Sequence, residues 1–337
     1  MAIVWMFAVG HSSGSIASDF HGEIYPETKD LLSGHNPFPA PDADLSGGAN
    51  AVWPPIVALL VAPLTLLPPV AADFAAAIAS LACFAAALWI IGVRDWRVYG
   101  ASGLWPPVIG EIRTAHLSLV LCLLAAIVWR TRSRRLIPGI AVGAAVALKF
   151  LLWPLIFWLA SIRRYLGAIV AAALTVASFL LLLPFTSIDG YLRVLRNLGN
   201  TYDQDSYSPY GLLAQVGASE PIARLVALSL GFAVLALGWR RRSLALAVGA
   251  ALLLSPIVWL DYYALLAMPL AIVRPRFHAI WLLPILTVGM LTAGYGIGDA
   301  GSTVRVLGVY GILLLYTVRA ERLVAPQLRV RPVQQAA

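Results

Sequence analysis

Apolar stretches follow one another from Pro54 to Val318, and the charged residues gather between them instead of spreading through them. No stretch shows the ~10-residue alternation of apolar and polar positions that marks a membrane barrel strand. Runs without it read as helices, which satisfy their own backbone polar groups as hydrocarbon requires. The pattern predicts an all-α polytopic membrane protein, one integral membrane domain over residues 1–337. Twelve crossings are expected, at roughly 1–11, 52–68, 71–93, 114–129, 136–149, 153–162, 165–185, 222–239, 243–255, 261–273, 279–297 and 302–318. The opening run is too short to span a bilayer, so an early part of that helix is expected upstream. No basic segment before it marks a cleavable signal. The stretch 94–110, rich in Gly and Pro, reads as a poor helix and is placed in an outer connection. The alternative is one more crossing there, with Arg94 and Arg97 inside.

Composition supports the membrane reading. The chain is 60 % hydrophobic and 12 % charged, with a mean hydropathy of +0.83; soluble domains are about 45–50 % apolar and about 25 % charged. A net charge of +8 raises nucleic acid as a partner, but the distribution argues against it. Fifteen of the 24 Lys and Arg lie in five places: Arg130–Arg135, Arg163–Arg164, Arg240–Arg242, Arg274 with Arg276, and the tail from Arg319 to Arg331. Each place ends an apolar run, the distribution of cytoplasmic loops. A specific anionic-lipid site is the lesser alternative. The tail 319–337 is then cytoplasmic. Cys83 and Cys122 sit inside apolar runs and read as packing residues.

Between the basic clusters come polar tips: "GEIRTAH" (Gly110–His116), Lys149, and "SPIVWLDYY" (Ser255–Tyr263). Clusters on one side require an even number of crossings between them, so these tips face the other side. Lys149 stands 14 residues from both Arg135 and Arg163. Fourteen helical residues rise roughly 21 Å against a hydrocarbon core of about 30 Å. The tips should therefore sit below the outer headgroups, where ionisable side chains face a protein interior or a wet cavity. Two long outer loops remain, 12–51 and 186–221. The first carries "YPETKDLLSG", a short helix stopped by Gly34; the second carries an amphipathic helix and a tyrosine-rich turn. All 16 acidic residues except Asp73 and Glu321 fall on the outer side.

One outer face thus collects Asp19, Glu23, Glu111, Arg113, His116, Lys149, Asp261, Tyr262 and Tyr263. Carboxylates beside cations suit transfer of a group from an anionic lipid carrier to a hydroxyl. A carboxylate takes the acceptor proton, and cations hold the departing phosphate. Each residue also has a plainer reading. Asp19 could be a helix cap and Glu23 a solvated charge. Glu111 and Asp261 could pair structurally with the cations, and Tyr262 could belong to an interfacial belt with Trp53 and Trp259. His21 and His35 read as loop histidines, with no metal-ligand spacing.

The chain resembles the GT-C class of membrane glycosyltransferases, and within it glycosyltransferase family 87. The resemblance rests on "SDFHGEIY…LLSGHNPF", "VWPPIVALLVAPLTLLPP", "GEIR", "ALKFLLWPLIFWLASIRR" and "LLSPIVWLDYYALLAMPLAIVRPR", in that order. It implies a polyprenyl-phosphate sugar donor carrying mannose or a similar sugar, a lipid or glycan acceptor, and an inverting displacement at the outer face of the plasma membrane. Asp19 matches the catalytic base; Lys149 and Tyr262 match the donor pocket. No metal or cofactor is implied. Two departures stand out. The family commonly has Gly-Gln-x-Asn where Gly110–Arg113 stand, and His where Asp261 stands. Either Arg113 or His116 restores the cation, or donor or acceptor differs, or the chain is inactive. Rival classes are a multi-pass transporter or flippase and a non-catalytic lipid-binding subunit. The lack of an internal repeat speaks mildly against transport.

Overall fold

In the computed structural model, residues 16–48, 50–291 and 299–329 are described. The expected first crossing, 1–11, lies outside them. The described chain is helical, and no strand occurs among the described residues. After a π-helical turn at Phe20–Ile24 come α1 (Tyr25–Leu32), α2 (Ile56–Val61), α3 (Pro69–Ile91), α4 (Trp96–Gly103) and α5 (Pro106–Thr114). Next are α6 (Ser118–Arg130), α7 (Ile137–Leu148), α8 (Pro154–Ser161), α9 (Tyr165–Leu180), α10 (Ile188–Thr201) and α11 (Pro209–Gln215). The chain ends with α12 (Glu220–Arg241), α13 (Leu244–Leu254), a 3-10 turn (Leu260–Leu266) running into α14 (Ala267–Val273), a 3-10 segment (Ala279–Leu291) and α15 (Ala300–Arg329).

Three of these are long and apolar enough to cross a membrane: Pro69–Ile91, Glu220–Arg241 and Ala300–Leu323. They expose Ile78, Leu225, Phe232 and Leu315, an outward apolar surface that marks a membrane protein. Among the described residues seven further apolar helices are shorter, including Ser118–Arg130 and Ile137–Leu148, in keeping with the short arms inferred from the spacing of charges. Helices approach closely where side chains are small. A Cβ on Gly139 of α7 would collide with the Gly167 carbonyl oxygen of α9, so only glycine permits this contact.

The two ends of the bundle differ. One carries Asp19, His116, Lys149 and Asp261; the other carries Arg130, Arg163, Arg242 and Arg274. α6 runs from the first end to the second and α7 returns. Glu321 of α15 meets Ser243 at the arginine end through a hydrogen bond to the Ser243 hydroxyl.

Two expectations are corrected. The apolar run 52–68 does not cross. Pro54, Pro55, Pro63, Pro68 and Pro69 break it into the short α2 and a 3-10 turn at Ala62–Leu66, because proline removes a backbone donor and clashes with the preceding turn. α3 then starts back at the carboxylate end, where Asp73 Oδ2 lies 2.9 Å from His21 Nδ1. Asp73 thus belongs with the first loop and not with the opposite end.

The second correction is the 94–114 stretch, which is helical and returns from the arginine end. The Phe277 N–H donates to Asp95 Oδ2 at 2.9 Å, and the Arg97 guanidinium lies 5.5 Å from the Phe277 ring centre. Arg94 and Arg97 therefore join Arg274 and Arg276. Asp95 caps α4 by accepting from the Arg97 N–H, and Pro106 and Pro107 open α5, where proline's missing donor costs nothing.

The segments 16–48 and 186–221 hold short helices joined by turns. α1 ends before Gly34, whose φ of 77° suits glycine. α10 opens on a Ser187 cap. The loops pack on each other: the Tyr202 hydroxyl donates to the Leu45 carbonyl at 2.9 Å, Asn197 to that of Ala43 at 2.9 Å, and Tyr191 to that of Val52 at 2.7 Å.

Candidate active site

The site begins with an irregular turn between α5 and α6. Ala115 has φ 51° and Leu117 has φ 67°, left-handed values that non-glycine residues adopt at a cost of about 1–3 kcal/mol each. His116 stands between them. The turn directs Glu111, His116 and Ser118 toward the same interior. Ala17, itself at φ 52°, donates its N–H to the Ile112 carbonyl at 3.2 Å. That bond pins the first loop onto α5 and sets Asp19 beside His116.

Asp19 Oδ2 lies 3.4 Å from His116 Nε2, and Asp261 Oδ2 lies 3.8 Å from His116 Nδ1. The imidazole therefore bridges two carboxylates from distant parts of the chain. The Ser118 hydroxyl donates to Asp261 Oδ2 at 2.5 Å. Lys149 breaks from α7 in an extended conformation. Its Nζ lies 3.8 Å over the Tyr262 ring and 4.9 Å from the Trp53 ring, and donates to the His116 carbonyl at 3.4 Å. Aromatic faces attract an ammonium within about 6 Å. Trp53 meets His116 edge-on at 5.0 Å between ring centres.

Glu23 accepts from Trp53 Nε1 at 3.3 Å. Burial is the main cause that pushes its carboxyl up to about 6; nearby Asp19 adds to the rise, while His116, the Trp53 bond and Lys149 oppose it. Glu27 is 3 % exposed and accepts from the Trp53 backbone N–H at 3.2 Å. Burial again leads, raising its carboxyl well above the usual range.

Glu111 is fully buried, with the Leu119 N–H and the Ser118 hydroxyl as its neighbouring donors. Lys149 lies in the field of Glu111, Asp261, Asp19 and Glu23. Carboxylates thus outnumber the cations around this ammonium. Seven of the nine residues collected from the sequence come together here: Asp19, Glu23, Glu111, His116, Lys149, Asp261 and Tyr262; Tyr263 instead donates its hydroxyl to the Tyr207 carbonyl at 2.6 Å. Arg113 turns toward the 3-10 segment instead, donating from Nη1 to the Leu291 carbonyl at 3.0 Å. On α5 it lies two residues from Glu111, roughly opposite on the helix.

Sequence reasoning missed Glu27 and Ser118 and placed Trp53 in an interfacial belt. Trp53 instead touches Glu23, Glu27, His116 and Lys149; its position opening "WPP" was the available signal. No signal marked Ser118.

The arrangement offers a carboxylate, Asp19, with its side chain 29 % exposed, next to an imidazole and a half-buried ammonium. Such a set can accept a proton from a hydroxyl and hold an anion a few ångströms away. Among the described residues no group of three or more His, Cys, Asp and Glu is arranged to hold a metal ion.

No curated protein and no solved structure matches the chain. The family model of glycosyltransferase family 87 matches residues 52–269. That span holds Trp53, Glu111, Arg113, His116, Lys149, Asp261 and Tyr262, while Asp19 and Glu23 precede it. With well over half of its 337 residues so matched, the chain belongs to glycosyltransferase family 87.

Proposed function

We propose that this glycosyltransferase transfers a sugar, mannose or a close relative, from a polyprenyl-phosphate donor to a hydroxyl of a lipid or glycan acceptor. The observation that carries the reading is the meeting of Asp19, His116 and Lys149 at the end of the bundle opposite the arginine clusters. With the arginine end in the cytoplasm, the reaction takes place at the outer face of the plasma membrane. The full chain then makes about twelve crossings of GT-C type.

Asp19 takes the proton from the acceptor hydroxyl as its oxygen attacks the anomeric carbon. The bond from that carbon to the phosphate oxygen breaks, and polyprenyl phosphate leaves with the electron pair. A single displacement inverts the anomeric configuration. The Lys149 ammonium meets the charge that builds on the phosphate, and Trp53 and Tyr262 hold that ammonium in place. His116 orients Asp19. Glu23, Glu111 and Asp261 flank the sugar and acceptor positions. Arg113 remains at the edge of the site, bonded to the Leu291 carbonyl. The scheme uses no metal or nucleotide. Family membership favours this reading over a transporter or flippase.

The test is incubation of the purified protein with radiolabelled polyprenyl-phosphate sugars and a panel of lipid acceptors. A labelled, anomer-inverted product supports the proposal. Labelled nucleotide sugars used in place of the lipid donor would overturn it, as would movement of the label across a vesicle membrane without a covalent product.

A further inference from the structure

A recess of about 160 Å³ lies at the arginine end, away from the carboxylate cluster, where α6, the end of α12, α13, α14 and α15 meet. Its walls are apolar on one side, with Trp129, Leu244, Ile272 and Val318. Arg241, Arg242 and Arg322 also line it. All three are exposed, and among the described residues none of them forms an ion pair.

The one acidic residue of the wall, Glu321, forms no ion pair with these guanidiniums among the described residues. Its oxygens accept from the Ser243 hydroxyl and, at 3.2 Å, from the Ala245 N–H at the start of α13. A fourth arginine is close: Arg132 stacks on Trp129 with its guanidinium 3.9 Å from the ring centre. The recess therefore combines apolar walls with a rim of unpaired cations, beside helices that face lipid. An inorganic anion would use only the rim. A phospholipid with an anionic headgroup would use both, its phosphate on the guanidinium forks and its glycerol and first methylenes against Trp129 and Ile272. Basic recesses between membrane helices bind such headgroups.

We propose that this recess is a binding site for the phosphate of an anionic phospholipid, held by Arg241, Arg242 and Arg322. The site is separate from the sugar-transfer site and does not depend on that assignment.

The experiment is native mass spectrometry of the full chain, released from mixed micelles of phosphatidylglycerol and phosphatidylcholine. The wild type should retain phosphatidylglycerol over phosphatidylcholine by about tenfold or more, from three arginines acting on one headgroup. The variant Arg241→Gln/Arg242→Gln/Arg322→Gln should fall to about twofold or less, and Arg322→Gln alone to an intermediate value. The control is Arg134→Gln/Arg135→Gln, which removes charge from the same end outside the recess and should keep the preference. Loss of preference in that control equal to the loss in the triple variant would show a diffuse surface effect and overturn the site. No preference in the wild type would do the same. In a second arm, millimolar inorganic phosphate replaces the lipid in a thermal-shift measurement. Stabilisation equal to that by phosphatidylglycerol, lost in the triple variant, would assign the recess to a free anion and overturn the lipid proposal.

Discussion

The Lys149 ammonium lies 3.8 Å over the ring of Tyr262, although the two residues stand on different breaks in the helical bundle. This contact joins the end of α7 to the turn before α14, and in the proposed reaction it would hold the ammonium for the departing phosphate.

Lys149→Gln should raise KM for the lipid donor and lower kcat, together about 10- to 100-fold in kcat/KM, the worth of a charge-assisted hydrogen bond at roughly 1.5–3 kcal/mol. Lys149→Arg should recover only part, because the planar fork does not fit between Tyr262 and Trp53 as a compact ammonium does. Steady-state kinetics with a thermal melt of each variant check this. Unchanged donor kinetics in Lys149→Gln would remove Lys149 from phosphate binding.

Asp19→Asn should leave the fold and donor affinity intact and reduce turnover by about 10²–10⁴-fold, the usual contribution of a positioned base. The measurement pairs product formation with a donor-binding titration. Near-wild-type turnover would exclude Asp19 as the base.

Glu23 gives a pH signature. Its folded carboxyl titrates at about 6 against a usual 4.5. The raised value means that the folded state holds this proton more tightly than the unfolded state. The resulting stability is full below about 4.5 and is lost as pH rises through about 6. The melting temperature of the wild type should therefore carry a decline across that window that Glu23→Gln lacks. Above it, the charged Glu23 also stands beside Asp19, so an inflection near pH 6 in kcat/KM should vanish in Glu23→Gln. Superimposable pH profiles of melting and activity would contradict this.

Gly139→Val should destabilise the protein by about 1–3 kcal/mol or more, because the added atoms collide with backbone and not with a movable side chain. Thermal unfolding in detergent reads it. Gly308, with open space around its Cβ direction, is the matched control, and Gly308→Val should change little.

Much of this architecture was legible because lipid and water sort residues so strongly. The arginine clusters marked one end, and the spacing of Lys149 from Arg135 and Arg163 placed it at the other. The 52–68 run misled because apolar content reports burial or lipid contact and not direction; its five prolines were the better guide. In 94–114, the cap at Asp95 and the prolines at 106 and 107 outweighed the glycines. The left-handed Ala115 and Leu117 carry no sequence mark, so the turn that aims His116 at Asp19 could not be foreseen. Nor could the departure of Arg113 toward Leu291, which depends on the rotation of α5 about its axis.

The failure of 52–68 to cross has a mechanical result. The stretch from Ala17 to Asp73 leaves and rejoins the bundle at the same end, as a flap clamped at both margins: by Ala17 on Ile112, and by His21 on Asp73. Trp53 is fastened to it internally by Glu23 and Glu27. A single proteolytic nick between 36 and 44 would therefore separate Asp19 from Trp53 along the chain without releasing either from its station.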